Sequence, residues 1–246
     1  MPRFFAPNDA FDGGRVTITG VDAFHIARSL RMAVGDEITV CDMQRREHLC
    51  RLTKIRDEEC SAEILSSREG ETESPVDISL FMAYPKGDKL EVVIQKAVEL
   101  GASRIIPFES SRCIKRPSSE KAEKQNQRLS RIAEEAAKQC GRSALPTVSL
   151  PISYKEVLKQ AKGAELPLFC YEGDGTKSLK KALSDRKHAK TVSLVIGSEG
   201  GFSREEAESA KEAGLIPVNL GPRILRCETA PSYALSAISY FFELEE

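Results

Sequence analysis

The sequence predicts an α/β protein in two parts: a small N-terminal β domain over residues 1–72 and a larger parallel-sheet domain over residues 73–246. Three observations carry this. Short stretches with two-residue alternation fill residues 15–67, a polar, acidic run ending in proline spans Ser66 to Pro75, and after Pro75 apolar segments alternate with amphipathic ones.

In the first part, RVTIT, EITVCD, HLCRLTKI and SAEILSS each read as a strand, interrupted by one short helical stretch, DAFHIARSLRM. Strands this short, joined by turns such as Gly35-Asp36, suggest a small barrel or curled sheet. SSREGETESP reads as the linker. In the second part DISLFMAY is a buried strand, KLEVVIQKAVELGA a helix stopped at Gly101, and SRIIPFES the next strand. The segment SSEKAEKQNQRLSRIAEEAAKQCG is a long helix. LPLFCYE, TVSLVIGSE and GLIPVNLG are further apolar strands, and PSYALSAISYFFELEE is the last helix. Apolar strands alternating with crossover helices form a parallel sheet covered on both faces.

Composition narrows the function classes. At 246 residues with 41% hydrophobic and 30% charged residues, the chain has enough apolar surface for a core and is neither disordered nor membranous in composition. No apolar run reaches the roughly 20 residues of a membrane span, and the opening MPRFFAPNDAFDGG lacks the apolar centre of a signal peptide. The expected compartment is the cytoplasm. Seven cysteines without a CxxC pair argue against a zinc ribbon or a disulfide framework, and three histidines without ligand spacing argue against metal catalysis.

Net charge is −1, but residues 86–143 carry 13 Lys and Arg against 8 Asp and Glu. On the long middle helix Lys121, Lys124, Arg128, Arg131, Lys138 and Arg142 fall at helical spacings into one basic stripe broken by Glu135. Leu129, Ala133, Ala136 and Cys140 form a separate apolar stripe. Core packing explains the second; the first suits water or phosphates equally well.

Two late segments concentrate chemistry. In LVIGSEGGFSREEAE an apolar strand runs through Gly197, Ser198, Glu199, Gly200 and Gly201 into a helix whose capping box is Ser203 with Glu206. Glycines there permit close approach of backbone to ligand, and loops after the carboxyl ends of parallel strands are where such sheets bind ligands. The loop is neither a P-loop nor GxGxxG. In IPVNLGPRILRCETAPSYAL, Arg223, Arg226, Glu228 and Thr229 gather beyond another strand, with Thr229 a candidate helix cap and Pro231 a candidate first helical residue. Two polar loops after two strands read as the walls of one pocket.

Together, VIGSEGGFSREE and LGPRILRCETA resemble the signature of the bacterial 16S ribosomal RNA uridine N3-methyltransferase family, a member of the knotted SPOUT class. HIARSLRMAVGD, KGDKLEVVIQKAVELGASRIIPFESSRC and EEAAKQCGRS are similar to its other motifs, in order along nearly the whole chain. The resemblance implies an N-terminal PUA-like RNA-binding β-barrel and a C-terminal α/β-knot domain with a trefoil knot, working as a homodimer on ribosomal RNA of the small subunit. It implies S-adenosylmethionine as cofactor, held by Cys170, Tyr171, Ile196, Gly197, Ser198, Glu199, Gly200, Leu220, Gly221, Ile224, Leu225, Arg226, Thr229 and Ala230. Many members carry Pro where this chain has Ser198, a change a backbone-lined pocket tolerates.

The implied reaction moves a methyl from a sulfonium to N3 of uracil and needs neither a metal nor a covalent nucleophile. Arg226 is the candidate for stabilising the uracil anion, and Glu228 a candidate base or the ion partner of an arginine. RNA contacts are expected at His25, Arg28 and Arg31 in the β domain and at Arg112, Lys115, Arg116 and Arg142. The target base must be unpaired or extruded, because N3 lies on the Watson-Crick edge. Two other classes stand beside this reading: a nucleotide-binding oxidoreductase, weakened by the missing GxGxxG, and a non-catalytic RNA-binding ribosome-assembly factor. Binding of S-adenosylmethionine, of NAD or of neither discriminates among them.

Overall fold

The computed structural model describes residues 1–113 and 119–244, the side chains of 119–121 excepted. The chain divides into two compact units, Met1–Glu73 with Ala137–Leu145, and Ser74–Ala136 with Pro146–Glu246.

The first unit is built on β1 (Arg3–Phe5), β2 (Phe11–Asp12), β3 (Arg15–Thr19), α1 (Gly20–Phe24), β4 (Glu37–Cys41), β5 (Arg46–Ile55) and β6 (Glu59–Glu69). Its sheet runs β1-β4-β5-β6-β3-β2, antiparallel except for β1 on β4. Alternation places Val16 and Ile18, Ile38 and Val40, Cys50 and Leu52, Cys60 and Ala62 on one face, where they pack with Phe4 and Ile26. The strand β6 runs four residues into the segment expected as linker. Opposite charges across the ladder, Arg46 facing Glu69 and Glu47 facing Arg68, extend the pairing where composition alone reads as a turn.

The second unit contains β7 (Asp77–Ala83), α2 (Lys89–Glu99), β8 (Arg104–Glu109), α3 (Ser119–Cys140), β9 (Thr147–Val148), β10 (Ile152–Ser153), α4 (Tyr154–Ala161) and β11 (Leu166–Cys170). It continues with β12 (Lys177–Ser178), α5 (Leu179–Asp185), β13 (Thr191–Ile196), α6 (Arg204–Glu212), β14 (Ile216–Asn219) and α7 (Thr229–Glu243). The end of α3, from Ala137, belongs to the first unit. The sheet is wholly parallel, in the order β10-β8-β7-β13-β11-β14-β12 with β9 also on β8. Its middle strands are buried along their length, as a sheet covered on both faces requires.

Two features of this order position the site. The strands β13, β11 and β14 are neighbours, so the loops at their carboxyl ends emerge side by side. In addition, β14 lies between β11 and β12, so the connection 171–176 passes across β14. The Asn219 side-chain amide donates to Thr176 Oγ1 (3.1 Å) and to the Lys177 carbonyl (3.2 Å), fastening that crossing.

Helix starts and stops follow the side chains. Ser203 accepts from the Glu206 amide while the Glu206 carboxylate accepts from the Ser203 amide, the expected capping box. Thr229 is the first residue of α7 rather than its cap, and Pro231 falls within the first turn, where its missing N–H costs nothing. All seven cysteines are free. Among the described residues no helix is long and apolar enough to cross a membrane, and no cluster of His, Cys, Asp or Glu is placed to hold a metal ion.

Candidate active site

The loops after β11, β13 and β14 enclose a cleft of about 860 Å³, within the range of small-molecule and cofactor sites. Ile196, Gly197, Ser198, Glu199 and Gly200 line it from the first glycine-rich loop, Cys170 and Tyr171 from the end of β11, and Leu220, Gly221, Ile224, Leu225, Arg226 and Ala230 from the last loop and α7. Of the expected cofactor contacts only Thr229 is absent from the lining: its amide donates to the Arg226 carbonyl in the first turn of α7.

The glycine-rich loop is anchored to the core. Phe202 is buried and its ring lies 4.4 Å from that of Phe169 on β11. Glu206 ties a further loop to this one, since its carboxylate accepts from the amides of Ser111 (2.7 Å) and Ser203 (2.9 Å), while its carbonyl accepts from Tyr154 Oη (2.7 Å). Gly200 is glycine because a Cβ would stand 3.0 Å from Arg112 Cβ. Across that close approach the Arg112 guanidinium donates to the Gly200 carbonyl (3.0 Å). Arg112, expected at RNA, therefore lines the cleft and braces its loop.

Charge enters from one element that sequence reasoning missed. Lys89, the first residue of α2, places its ammonium 3.0 Å from Glu199 and 3.2 Å from Glu228. The hydrogen bond to Glu199, with that to Glu228 behind it, holds the ammonium above its ordinary value. Partial burial pushes the Glu199 carboxyl up, but its own amide, Lys89 and the Lys86 amide outweigh that and hold it below the usual carboxylate range. Glu228 is held low by its own amide first, with Cys227 and Lys89 assisting against burial. Burial pushes the Cys227 thiol up to about 12, and the adjoining Glu228 adds to it. Both carboxylates are thus ionised and weakly basic, and Glu228, unlike Glu199, is not part of the cleft lining. The signal that finds Lys89 is topological: β7 is the sheet neighbour of β13, so the residues that follow β7 belong to the same rim.

Arg226 is exposed at the cleft mouth, and its guanidinium makes no ion pair or hydrogen bond among the described residues. Beside it Arg223 and Arg204 also line the cleft and are exposed. Ser198 Oγ is buried without a hydrogen-bond partner among the described residues. A cleft with five glycines in its lining and the exposed cationic side chains of Arg204, Arg223 and Arg226 around it fits a nucleoside carrying a polar tail.

The residues expected to meet RNA divide three ways. His25, Arg28 and Arg31 are exposed in the first unit; His25 stands edge-on to Phe4, and Arg28 is paired bidentately with Asp57 (2.8 and 2.6 Å). Arg142 is only 4% exposed, with its guanidinium on Glu73, so it braces the fold from within and presents nothing to a phosphate. On the same helix Lys138 is paired with Asp22 (2.7 Å) and Arg128 with Glu91 (2.9 Å), so three of the six members of the basic stripe, Arg142 included, are held by acidic neighbours, while the Lys121 side chain lies outside the described residues. Lys115 and Arg116 lie outside the described residues.

Known proteins give the same outline. A family model described as an RNA methyltransferase domain matches residues 72–239, and one described as an RNA methyltransferase PUA domain matches residues 18–65. The chain is 35% identical over 232 residues to Ribosomal RNA small subunit methyltransferase E of Bacillus subtilis, across 93% of this chain and 91% of that one. Among solved structures, a Ribosomal RNA small subunit methyltransferase E of Neisseria gonorrhoeae bound to S-adenosyl methionine superposes with a TM-score of 0.85 at 33% identity, over 98% of each chain. A methyltransferase of Legionella pneumophila, solved with bound SAM, gives 0.86 at 31% identity over 96% of each.

Proposed function

The chain belongs to the RNA methyltransferase family, and from that premise we propose that it methylates N3 of a specific uridine in the 16S RNA of the small ribosomal subunit, with S-adenosylmethionine as donor. The observation that carries this reading is the convergence of the loops after β11, β13 and β14 on one cleft lined by Arg226, an exposed arginine without an ion pair among the described residues.

Bound S-adenosylmethionine supplies an activated methyl on a sulfonium. The protein then has two tasks: to align the methyl with N3 and to make N3 nucleophilic. The residues that would hold the cofactor are the backbone-rich walls formed by Gly197 to Gly200 and Leu220 to Arg226, with Tyr171 beside them. Uracil N3 carries a proton at neutral pH, and its anion spreads charge onto the two flanking carbonyl oxygens. Arg226 stays charged, offers several donors and has no competing partner among the described residues, so it stabilises that anion as the proton leaves to water. Glu199 and Glu228, held below the ordinary carboxylate range, are poor proton acceptors and serve as partners of Lys89.

His25, Arg28 and Arg31 of the first unit, with Arg112 of the second, contact the RNA in this reading. The active form is a homodimer in the cytoplasm. Tyr233 and Tyr240, seven residues apart on one face of α7, and Val92 on the adjoining α2 are exposed by 46%, 63% and 51%, large apolar groups suited to a second copy. The passage of the 171–176 connection across β14 supports a trefoil knot in the cofactor domain.

The experiment is to replace Arg226 with Ala and with Lys and to measure methyl transfer and cofactor affinity separately. The Ala variant is expected to lose roughly a hundredfold in transfer, the order seen for removal of one charge-stabilising donor, while binding the cofactor within a few-fold of wild type. Full turnover in the Ala variant removes Arg226 from the mechanism.

A further inference from the structure

A dense run of positive charge lies between Lys177 and Lys190, where six Lys and Arg stand against one acid, Asp185. The run covers β12, α5 and the turn that follows. Leu179, Ala182, Leu183 and Ala189 are buried against the fold, and every charged residue of the segment is exposed. Asp185 answers only part of this charge. Its carboxylate lies 2.7 Å from Lys181 and 3.5 Å from Lys177, and the Lys181 hydrogen bond holds it below the usual carboxylate range. Lys180, Arg186, Lys187 and Lys190 make no ion pair among the described residues. On α3, by contrast, three members of the basic stripe are held by acids.

The backbone beneath these cations is fixed. Ser178 caps α5, its hydroxyl accepting from the Lys181 amide (3.2 Å), and the turn after the helix is closed by the Ala189 amide on the Arg186 carbonyl (2.9 Å). The Lys190 amide is tied to the Glu165 carboxylate (2.9 Å). A fixed scaffold with free cationic heads suits a row of anions. The row also starts beside the cleft. Asn219, which lines the cleft, donates its side-chain amide to the Lys177 carbonyl (3.2 Å), and α5 then carries the chain about 10 Å back along the sheet. Glu172 and Asp174, the acids of the preceding connection, stop short of it.

Composition decides the kind of partner. Protein interfaces have an apolar centre, and helices that lie on membranes bury an apolar face. No large apolar side chain is exposed between Lys177 and Lys190. Contact with a polynucleotide backbone needs only charge. We propose that α5 and its following turn, through Lys180, Arg186, Lys187 and Lys190, hold the phosphates of the RNA strand that flanks the target nucleotide. The proposal rests on the RNA methyltransferase reading given above and adds a surface outside the residues expected to meet RNA.

The test is binding of the full chain to small ribosomal subunits from cells lacking the gene, and to the 16S RNA stripped from them, over a range of salt. Wild type is compared with a variant carrying Lys180→Ala, Arg186→Ala, Lys187→Ala and Lys190→Ala, and with its counterpart in which the same four residues become Gln. A control variant, Lys96→Ala with Lys155→Ala, Lys159→Ala and Lys211→Ala, removes equal charge elsewhere. Both α5 variants are expected to bind about tenfold more weakly at 0.15 M salt. The slope of log affinity against log salt should flatten by roughly three, since each lost phosphate contact removes about 0.7 to 0.9. Affinity for S-adenosylmethionine and the melting temperature should stay as in wild type, and the control should bind RNA nearly as wild type does. Unchanged RNA binding in the folded α5 variants overturns the proposal and leaves the charge to another partner. An equal loss in the control overturns it too, by tracing the effect to net charge. If wild type binds neither probe, the reading of the chain as a 16S RNA methyltransferase fails and this inference goes with it, whereas binding by wild type with no loss in the α5 variants sinks the inference alone.

Discussion

The Lys89 ammonium lies 3.0 Å from the Glu199 carboxylate and 3.2 Å from that of Glu228, so one cation joins the loop after β13 to the loop after β14. The same loop after β13 receives the Lys86 amide on Glu199 (3.1 Å), so the segment between β7 and α2 closes one side of the cleft. Partly exposed ion pairs add little to global stability. Their effect here falls on the relative placement of the two loops.

Lys89→Ala is therefore expected to lower kcat/KM for methyl transfer by about tenfold, through misplaced binding groups, while leaving the melting temperature within about two degrees of wild type. Lys89→Arg should restore most of the activity. Steady-state kinetics with a parallel melt checks this, and an unaltered kcat/KM in the Ala variant means that the loops hold their places without the cation.

Gly173 leaves room for an aromatic neighbour. A Cβ at that position would run into the Tyr171 ring, which lines the cleft. Gly173→Ala should turn the ring aside, changing the near-ultraviolet circular dichroism and weakening S-adenosylmethionine binding by roughly fivefold, as expected when an aromatic wall is displaced. Calorimetry on the variant gives the answer; an affinity equal to wild type shows that the Tyr171 ring takes no part in binding.

In the first unit the Glu73 carboxylate is buried and accepts from Arg142 Nε (3.1 Å), the Ser143 amide (3.0 Å) and the Ala144 amide (3.0 Å). Burial pushes this carboxyl up, but the Arg142 hydrogen bond and charge, with the two amides, outweigh it and hold it below its ordinary value. A carboxyl lowered on folding stabilises the native state above its unfolded pKa, near 4.3, and that contribution is lost as pH falls through the lowered folded value. Glu73→Gln removes the buried carboxylate that faces the Arg142 guanidinium, which costs about 3 kcal/mol. Denaturant unfolding at pH 7 should show this loss, and the variant should decline less steeply than wild type between pH 5 and pH 3. Equal stability at pH 7 contradicts the pairing.

Much of this was legible in the sequence because the signals are local. Runs such as LPLFCYE and TVSLVIGSE are apolar over a strand's length and end in glycine or charge, so both the buried strands and the loops that leave them could be read directly. What was hidden depends on residues far apart in the chain. Lys89 and Glu199 meet only because β7 and β13 are sheet neighbours. Arg142 read as one more member of a basic helix face, since spacing gives its angle and says nothing of Glu73 on the other side. The strand β6 runs past its expected end because of charges on β5, and Thr229 is the first residue of α7 rather than its cap because the helix begins one residue earlier than a cap there would allow.

Mass spectrometry of ribosomal RNA tests the proposal that this cleft methylates N3 of uracil in the small-subunit RNA. In cells that lack the gene, one N3-methyluridine should vanish from the 16S RNA, return with the wild-type chain and stay absent or scarce with Arg226→Ala. An unchanged modification map after deletion, or full restoration by the Arg226 variant, contradicts the account.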